Sequence, residues 1–342
     1  MARADVLKKL LKSYKRRDDR AFRETMEQII EEERRKRHPV LANELEKILN
    51  NGVGGAPTAN GFTVFDQPPR DADRGVPLLE VSYPDRYMAD LVLTDSLSKA
   101  LERLMEEFRA WEILESHGLK PIQRVLFCGP SGCGKTVAAE MIASELGLPL
   151  LYVRFDAVVS SLLGETASNL RKVFEYAQRE QWVMFFDEFD AIGRSRDDPT
   201  EHGEIKRVVN SFLQILDNFK GRSLVIAATN FERAIDPALW RRFDDIVRFE
   251  KPSPEQLKQL IEKKLKPLQF SSAQVGKMVG TLNGATFADA ERVCLDIRKS
   301  GAMQSSLKVQ KQFIAEALDR YAYRRAIFES SIAETMPTVD KE

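Results

Sequence analysis

Cysteine is scarce. The 342-residue chain has three, Cys128, Cys133 and Cys294. Their spacing fits no zinc pattern, and a small odd number suits a reducing cytoplasm better than a disulfide scaffold. Charge bias is absent as well: 52 Lys and Arg balance 52 Asp and Glu. No excess positive potential marks a nucleic acid as an obligate partner, so none is expected. No apolar run exceeds the length of a strand, and Met1-Ala2-Arg3-Ala4-Asp5 lacks the apolar core of a leader peptide. A cytoplasmic protein without membrane insertion, disulfide or zinc is therefore expected. Hydrophobic residues make up 43% of the chain, enough for a substantial core and two packed domains.

Against that background one stretch stands out. Residues 129–136 read Gly129-Pro130-Ser131-Gly132-Cys133-Gly134-Lys135-Thr136 and fit Gly-x4-Gly-Lys-Thr. The apolar run Arg124–Cys128 before it suits a buried strand, and Val137–Leu146 after it reads as a helix that Gly147 ends. A strand, a glycine loop and a helix are the setting in which backbone N–H groups converge on a phosphate. The helix N-terminus adds its positive end. Lys135 can then reach the β- and γ-phosphates, the Thr136 hydroxyl can hold Mg²⁺, and Val137 lies beside the nucleotide. Next to a lysine and a helix N-terminus, the Cys133 thiol is expected to have a lowered pKa.

Val183-Met184-Phe185-Phe186 reads as a fully buried parallel strand with Asp187 and Glu188 at its C-terminal end. Open α/β sheets bind ligands at that end. Asp187 is placed to hold Mg²⁺. Glu188 is either the base that polarises the attacking water or a solvated acid. A third strand, Ser223–Thr229, ends at Asn230, which either orients that water or starts a turn. Asp236 and Pro237 open a short helix that ends at Arg241 and Arg242. These arginines either satisfy helix carbonyls or serve a neighbour's γ-phosphate, a role worth about 10³–10⁵ in rate.

The order and spacing of these elements resemble an AAA+ ATPase over residues 90–300. The matching parts are Gly129–Thr136 (Walker A), Phe185–Glu188 (Walker B), Asn230 (sensor 1), the Arg241-Arg242-Phe243 block, and Gly284-Ala285-Thr286-Phe287-Ala288-Asp289, similar to the element that opens the sensor-2 helix. Phe186–Gly193 is similar to the branch with katanin, spastin, the ESCRT-disassembly ATPase and the FtsH proteases, and single-module bacterial members look nearest. The resemblance implies an α/β fold: a P-loop NTPase parallel sheet flanked by helices, followed by an all-α lid. It implies ATP and Mg²⁺ as cofactors, nucleotide contacts from Gly284 and Ala288, and catalytic roles for Glu188, Asn230, Arg241 and Arg242. It also implies a homo-oligomeric ring, usually a hexamer, that remodels a protein substrate through a pore loop at Leu162 and Leu163. Some bacterial members are encoded beside subtilisin-like proteases, which raises a subtilisin-like serine protease as partner. FtsH-type membrane anchoring is not expected. Three departures bear on these implications. Leu162 stands where an aromatic is common, Asp245 where a second arginine often follows, and Phe287 where glycine is common near adenine.

Along the chain, residues 1–50 read as a helical N-terminal region for partner or substrate docking, with apolar stripes at Val6, Leu7, Leu10, Leu11 and Tyr14 and at Phe22, Met26, Ile29 and Ile30. Residues 51–88, rich in glycine and proline, read as a linker. Residues 89–252 form the nucleotide-binding domain, opened by one amphipathic helix over 95–116. A strand is expected over Ile246–Phe249, a helical lid over 253–328 and a polar tail over 329–342. Two other functions remain open at this point: a nucleotide-gated assembly switch that does no threading, and a nucleic-acid motor of the clamp-loader kind.

Overall fold

The computed structural model describes residues 25–26, 28–30, 67–71, 73–158, 163–189, 210–230 and 240–335. The chain divides into two compact units, Met1–Gln67 and Pro68–Glu342. In the first, Thr25, Met26 and Gln28–Ile30 are helical, and Thr25, Ile29 and Ile30 are buried. The other N-terminal stripes lie outside the described residues.

The second unit is built on a six-stranded sheet: β1 (Leu79–Ser82), β2 (Arg124–Cys128), β3 (Leu150–Val153), β4 (Val183–Phe186), β5 (Leu224–Thr229) and β6 (Asp245–Arg248). Its order is β1-β3-β4-β5-β2-β6. The five strands β2–β6 are mutually parallel, and β1 runs antiparallel to β3. β4 and β5 are wholly buried, as expected for strands covered on both faces. β6 begins one residue before the expected strand.

The antiparallel edge corrects one expectation. Residues 79–82, inside the stretch 51–88 expected to be linker, are a strand of the sheet. Leu78 and Leu79 are buried, and β1 pairs in register with β3 from Leu79↔Val153 to Ser82↔Leu150. Before β1, the buried Asp71 accepts the N–H groups of Asp73 at 3.0 Å and Arg74 at 2.7 Å, and the Asn169 amide at 2.7 Å. These contacts, the Arg74 N–H foremost and then Asn169, hold its carboxyl below the usual carboxylate range. The prolines that made this stretch look like linker, Pro68, Pro69 and Pro77, precede β1, which contains none.

Helix α1 (Asp95–Arg109) is capped by Thr94, whose side chain accepts the Leu97 N–H. The single helix expected over 95–116 is in fact two: the backbone leaves helical geometry at Ala110, and α2 (Trp111–Ser116) follows. Trp111 packs edge-on against Phe108, ring centroids 5.6 Å apart. Helix α3 (Lys135–Leu146) starts two residues earlier than expected and ends at left-handed Gly147. A short α4 (Phe155–Val158) and α5 (Leu163–Ala177) follow β3, and residues 210–218 are helical. One core, including Leu101, Phe108, Phe127, Ile142, Phe185 and Ile226, lies between the sheet and α1 and α3. An aromatic cluster of Phe174, Phe186, Phe189, Phe212 and Phe219 forms a second.

The lid is four helices: α6 (Pro254–Leu265), α7 (Ser272–Thr281), α8 (Phe287–Met303) and α9 (Lys311–Thr335). α6, α7 and α8 start with reciprocal capping boxes, Ser253 with Gln256, Ser271 with Gln274 and Thr286 with Asp289. Leu257, Ile261, Met278, Val293, Cys294 and Phe313 lie in the lid core. Burial pushes the Cys294 thiol up to about 12. The tail expected from 329 starts inside α9.

Candidate nucleotide site

Strands β2, β4 and β5 are adjacent and parallel, so their C-terminal ends meet on one side of the sheet. Gly129, Pro130, Ser131, Gly132, Cys133 and Gly134 form the loop from β2 to α3. Two glycines in it are sterically obligatory. Gly129 has φ +141°, and a Cβ there would lie 2.0 Å from the Phe249 carbonyl oxygen. Gly132 has φ +74°, and its Cβ would meet the Thr286 hydroxyl at 2.8 Å and the Ala288 methyl at 3.0 Å. Any side chain at either position would close the cradle or push the lid away.

Lys135, the first residue of α3, is only 6% exposed. Its ammonium donates to the Gly129 carbonyl at 2.6 Å, the Pro130 carbonyl at 3.0 Å and Asn230 Oδ1 at 2.8 Å. A buried ammonium persists only with such partners. The bond to Asn230 joins the end of β5 to the start of α3.

Thr136 Oγ1 donates to Asp187 Oδ2 at 3.0 Å. Asp187 Oδ1 accepts the Glu188 N–H at 2.9 Å, and the Tyr152 hydroxyl lies 3.5 Å from Oδ2. A hydroxyl beside a carboxylate supplies the hard oxygen donors that Mg²⁺ takes from protein while phosphate and water complete its shell. Thr136 and Asp187 thus fit the cation, which when bound would neutralise phosphate charge. Burial first, then the charges of Asp187 and Glu188, push the Tyr152 phenol up to about 12.

Glu188 is exposed and has φ +51°, a left-handed backbone that costs a non-glycine residue energy. The next residue explains how this is held. Phe189 N–H donates to the Ala228 carbonyl at 2.8 Å, and its ring is buried in the aromatic cluster. Between a hydrogen-bonded Asp187 and an anchored Phe189, the Glu188 side chain projects outward.

The lid rests on the loop. The Ala288 N–H, in the first turn of α8, donates to the Gly132 carbonyl at 3.1 Å. Lys251 Nζ donates to the carbonyl of Gly284 (φ +79°) at 3.2 Å. Burial corrects the expectation for Cys133. The residue lies in the core shared by the sheet, α1 and α3, and burial raises its thiol pKa, a rise that Asp289 adds to and that Lys135 and Lys251 oppose without reversing. The N-terminal helix field does not outweigh that desolvation. Phe287 packs at the margin of the lid core. Val137, also named from the sequence, is half-buried in the first turn of α3.

Arg241 and Arg242 differ. Arg242 forms an ion pair with Asp217 of the helical stretch 210–218, and Arg124 Nη1 lies 3.6 Å from the same carboxylate. Arg241 is exposed and makes no ion pair among the described residues. Phe243 anchors the block, buried with its ring 6.2 Å from that of Phe189 and perpendicular to it. Asp236, Pro237 and Leu162 lie outside the described residues, and Leu163 begins α5.

Sequence reasoning missed Tyr152, Asp217 and Lys251. Tyr152 had a readable signal, a polar-tipped aromatic within a short apolar strand. Asp217 and Lys251 had none.

Comparison with known proteins agrees with this geometry. Residues 125–251 match the model for the ATPase family associated with various cellular activities (AAA). The chain is 43% identical over 331 residues to the AAA family ATPase y4kL of Sinorhizobium fredii, covering 95% of this chain and 97% of that one. It is 29% identical to a proteasome-activating nucleotidase of Saccharolobus islandicus over 83% of this chain and 75% of that one. The crystal structure of the FIGL-1 AAA domain shares the fold, with TM-score 0.56 and 23% identity over 74% of this chain and 92% of that one. With near-full-length similarity to an AAA ATPase, and a glycine cradle, lysine, threonine and paired acids meeting at three parallel strand ends, the chain belongs to the AAA family and is an ATP-hydrolysing enzyme.

Proposed function

We propose that copies of this chain form a ring, a hexamer, in which each ATP is held by one subunit and hydrolysed against an arginine of the next, and that the ring remodels a protein substrate in the cytoplasm. One observation carries the arginine exchange. β2 and β6 are parallel, in register from Val125↔Asp245 to Cys128↔Arg248. The phosphate loop leaves the C-terminal end of β2, whereas Arg241 and Arg242 precede the N-terminal end of β6. The four-residue strand separates them by about 13 Å at ~3.3 Å per residue. The arginines therefore lie at the opposite end of the strand pair from their own loop, which supports action in trans.

In this reading Gly129–Thr136 and Val137 cradle ATP, with Gly284 and Ala288 closing over it from the lid. Thr136 and Asp187 hold Mg²⁺. Glu188 takes the proton of the attacking water, Asn230 positions that water, and Arg241 or Arg242 of the neighbour stabilises transition-state charge. Leu162 and Leu163 grip the polypeptide, and residues 1–50 dock the partner or substrate. The relatives named as activators of the proteasome support a protein as substrate. A subtilisin-like protease as partner rests on the resemblance to bacterial members.

The test mixes inactive Lys135→Ala subunits with inactive Arg241→Ala subunits. Some interfaces then combine an intact cradle with an intact arginine, and part of the ATPase activity should return. Background activity at every ratio, with mixed rings confirmed by native mass spectrometry, would refute trans action. Unfolding of a stable test domain by the intact ring, lost in Leu162→Asp with basal ATPase kept, separates threading from a nucleotide-gated switch.

A further inference from the structure

Tyr152 has no part in the chemistry described so far. It lies on β3, opposite Glu80 of β1 and Phe185 of β4. Its ring packs on Phe185 with centroids 5.8 Å apart, at the margin of the core beneath α3. A phenylalanine would fill that place equally well, so packing leaves the hydroxyl unexplained. The hydroxyl reaches along β4 to Asp187 Oδ2 at 3.5 Å, the oxygen that also accepts the Thr136 hydroxyl at 3.0 Å. The second oxygen, Oδ1, is taken by the Glu188 N–H at 2.9 Å. Three groups from β3, α3 and the end of β4 therefore converge on one carboxylate. Their roles differ. The Thr136 hydroxyl donates its proton to Oδ2 while its lone pairs stay open to a cation, and the Glu188 N–H holds the other oxygen. Tyr152 is the second side chain on Oδ2, and the one with no cation of its own to bind.

We propose that Tyr152 is a positioning residue for Mg²⁺-ATP: its hydroxyl fixes the Asp187 carboxylate so that Asp187 and Thr136 present their oxygens to one cation. The inference rests on the proposed metal role of Thr136 and Asp187. A carboxylate held before the cation arrives loses less freedom on binding it, and such outer partners orient ligands.

The test uses the full chain with Tyr152→Phe, which keeps the ring. The affinity of a fluorescent ATP analogue is measured in EDTA and across a Mg²⁺ titration. The EDTA affinity should stay within about twofold, while the Mg²⁺ concentration giving half of the affinity gain should rise about three- to tenfold, the scale of one ordinary hydrogen bond, as suits a contact of 3.5 Å. The unfolding midpoint without nucleotide should not move. Asp187→Asn is the control and should lose most of the Mg²⁺ response. A normal Mg²⁺ midpoint in Tyr152→Phe beside a lost response in Asp187→Asn would overturn this inference and leave the metal site standing. A normal response in Asp187→Asn would overturn both. A parallel fall in EDTA affinity and unfolding midpoint in Tyr152→Phe would show that Tyr152 is packing only, and would overturn the proposal.

Discussion

Lys135 Nζ donates to Asn230 Oδ1 at 2.8 Å, so two groups 95 residues apart in sequence, each with its own proposed duty toward the γ-phosphate, are bonded to one another. The lysine is also held by the Gly129 and Pro130 carbonyls. In the proposed mechanism a lysine that turns to a phosphate exchanges these partners, and the exchange releases the Asn230 amide oxygen. That mechanism then links nucleotide arrival to the readiness of Asn230 to orient water.

That link separates two substitutions. Lys135→Ala should weaken ATP binding at least about tenfold, as loss of a hydrogen bond from a charged group implies. Asn230→Ala should leave binding within about threefold and cut turnover by about tenfold or more. Asn230→Asp places a carboxylate against the ammonium and near the phosphates, and should weaken binding. Fluorescent-nucleotide titration and phosphate release measure both quantities. Equal binding loss in Lys135→Ala and Asn230→Ala would contradict the division of roles.

Glu188, the proposed base, sits in a strained backbone with φ +51°. Glu188→Gln should bind ATP normally and lose about 10²–10⁴-fold in turnover, the range for removal of a general base. Glu188→Gly should be equally inactive yet unfold at the same or a higher temperature, because glycine accepts φ +51° without penalty. A clear fall in the melting temperature of Glu188→Gly would mean that the exposed side chain contributes stability not seen in its contacts.

Cys133 should be a slow thiol. Burial raises its pKa, so less thiolate exists at neutral pH than for an ordinary cysteine, and its alkylation rate should keep climbing as pH rises beyond the usual thiol range. Thr286→Ala loosens the α8 cap that sits over the loop and should speed labelling. Mg-ATP should slow it. Peptide mass spectrometry distinguishes Cys133 from Cys128. Labelling of Cys133 at the rate of a free thiol at pH 7 would show that its sulfur is not buried in solution.

Asp71 makes the fold acid-sensitive. Its carboxyl is held below the ordinary value by the Arg74 N–H and then by Asn169. The depressed pKa contributes stability that is present above the ordinary carboxylate range and is lost as pH falls through the lower folded-state value. Asn169→Ala removes one of these donors and should lower the unfolding midpoint in urea at pH 7, with a smaller loss at pH 3. An equal loss at both values would mean that Asn169 acts through packing and not through the carboxylate.

The phosphate loop was legible because its determinants are local. Glycine torsions at 129 and 132, an apolar run before them and a helix after them are written in adjacent residues. The buried runs of β4 and β5, the acids after one and Asn230 after the other, are readable for the same reason: a strand covered on both faces has little choice of composition. Tertiary structure decided the rest. β1 hid among prolines, because an edge strand of four residues needs a partner 70 residues away to reveal it. Cys133 changed sign because burial in the core outweighs nearby positive charge, and burial is not a local property. Arg241 and Arg242 are neighbours in sequence and unequal in the fold, since Asp217, which chain folding brings close, holds only the second. Tyr152 reads as one more core aromatic until β3 and β4 pair and carry its hydroxyl to Asp187. Torsions and apolar periodicity are set within a few residues. Desolvation and the partners of long side chains depend on what distant segments bring, so the chemistry of this site was placed by the sequence and tuned by the fold.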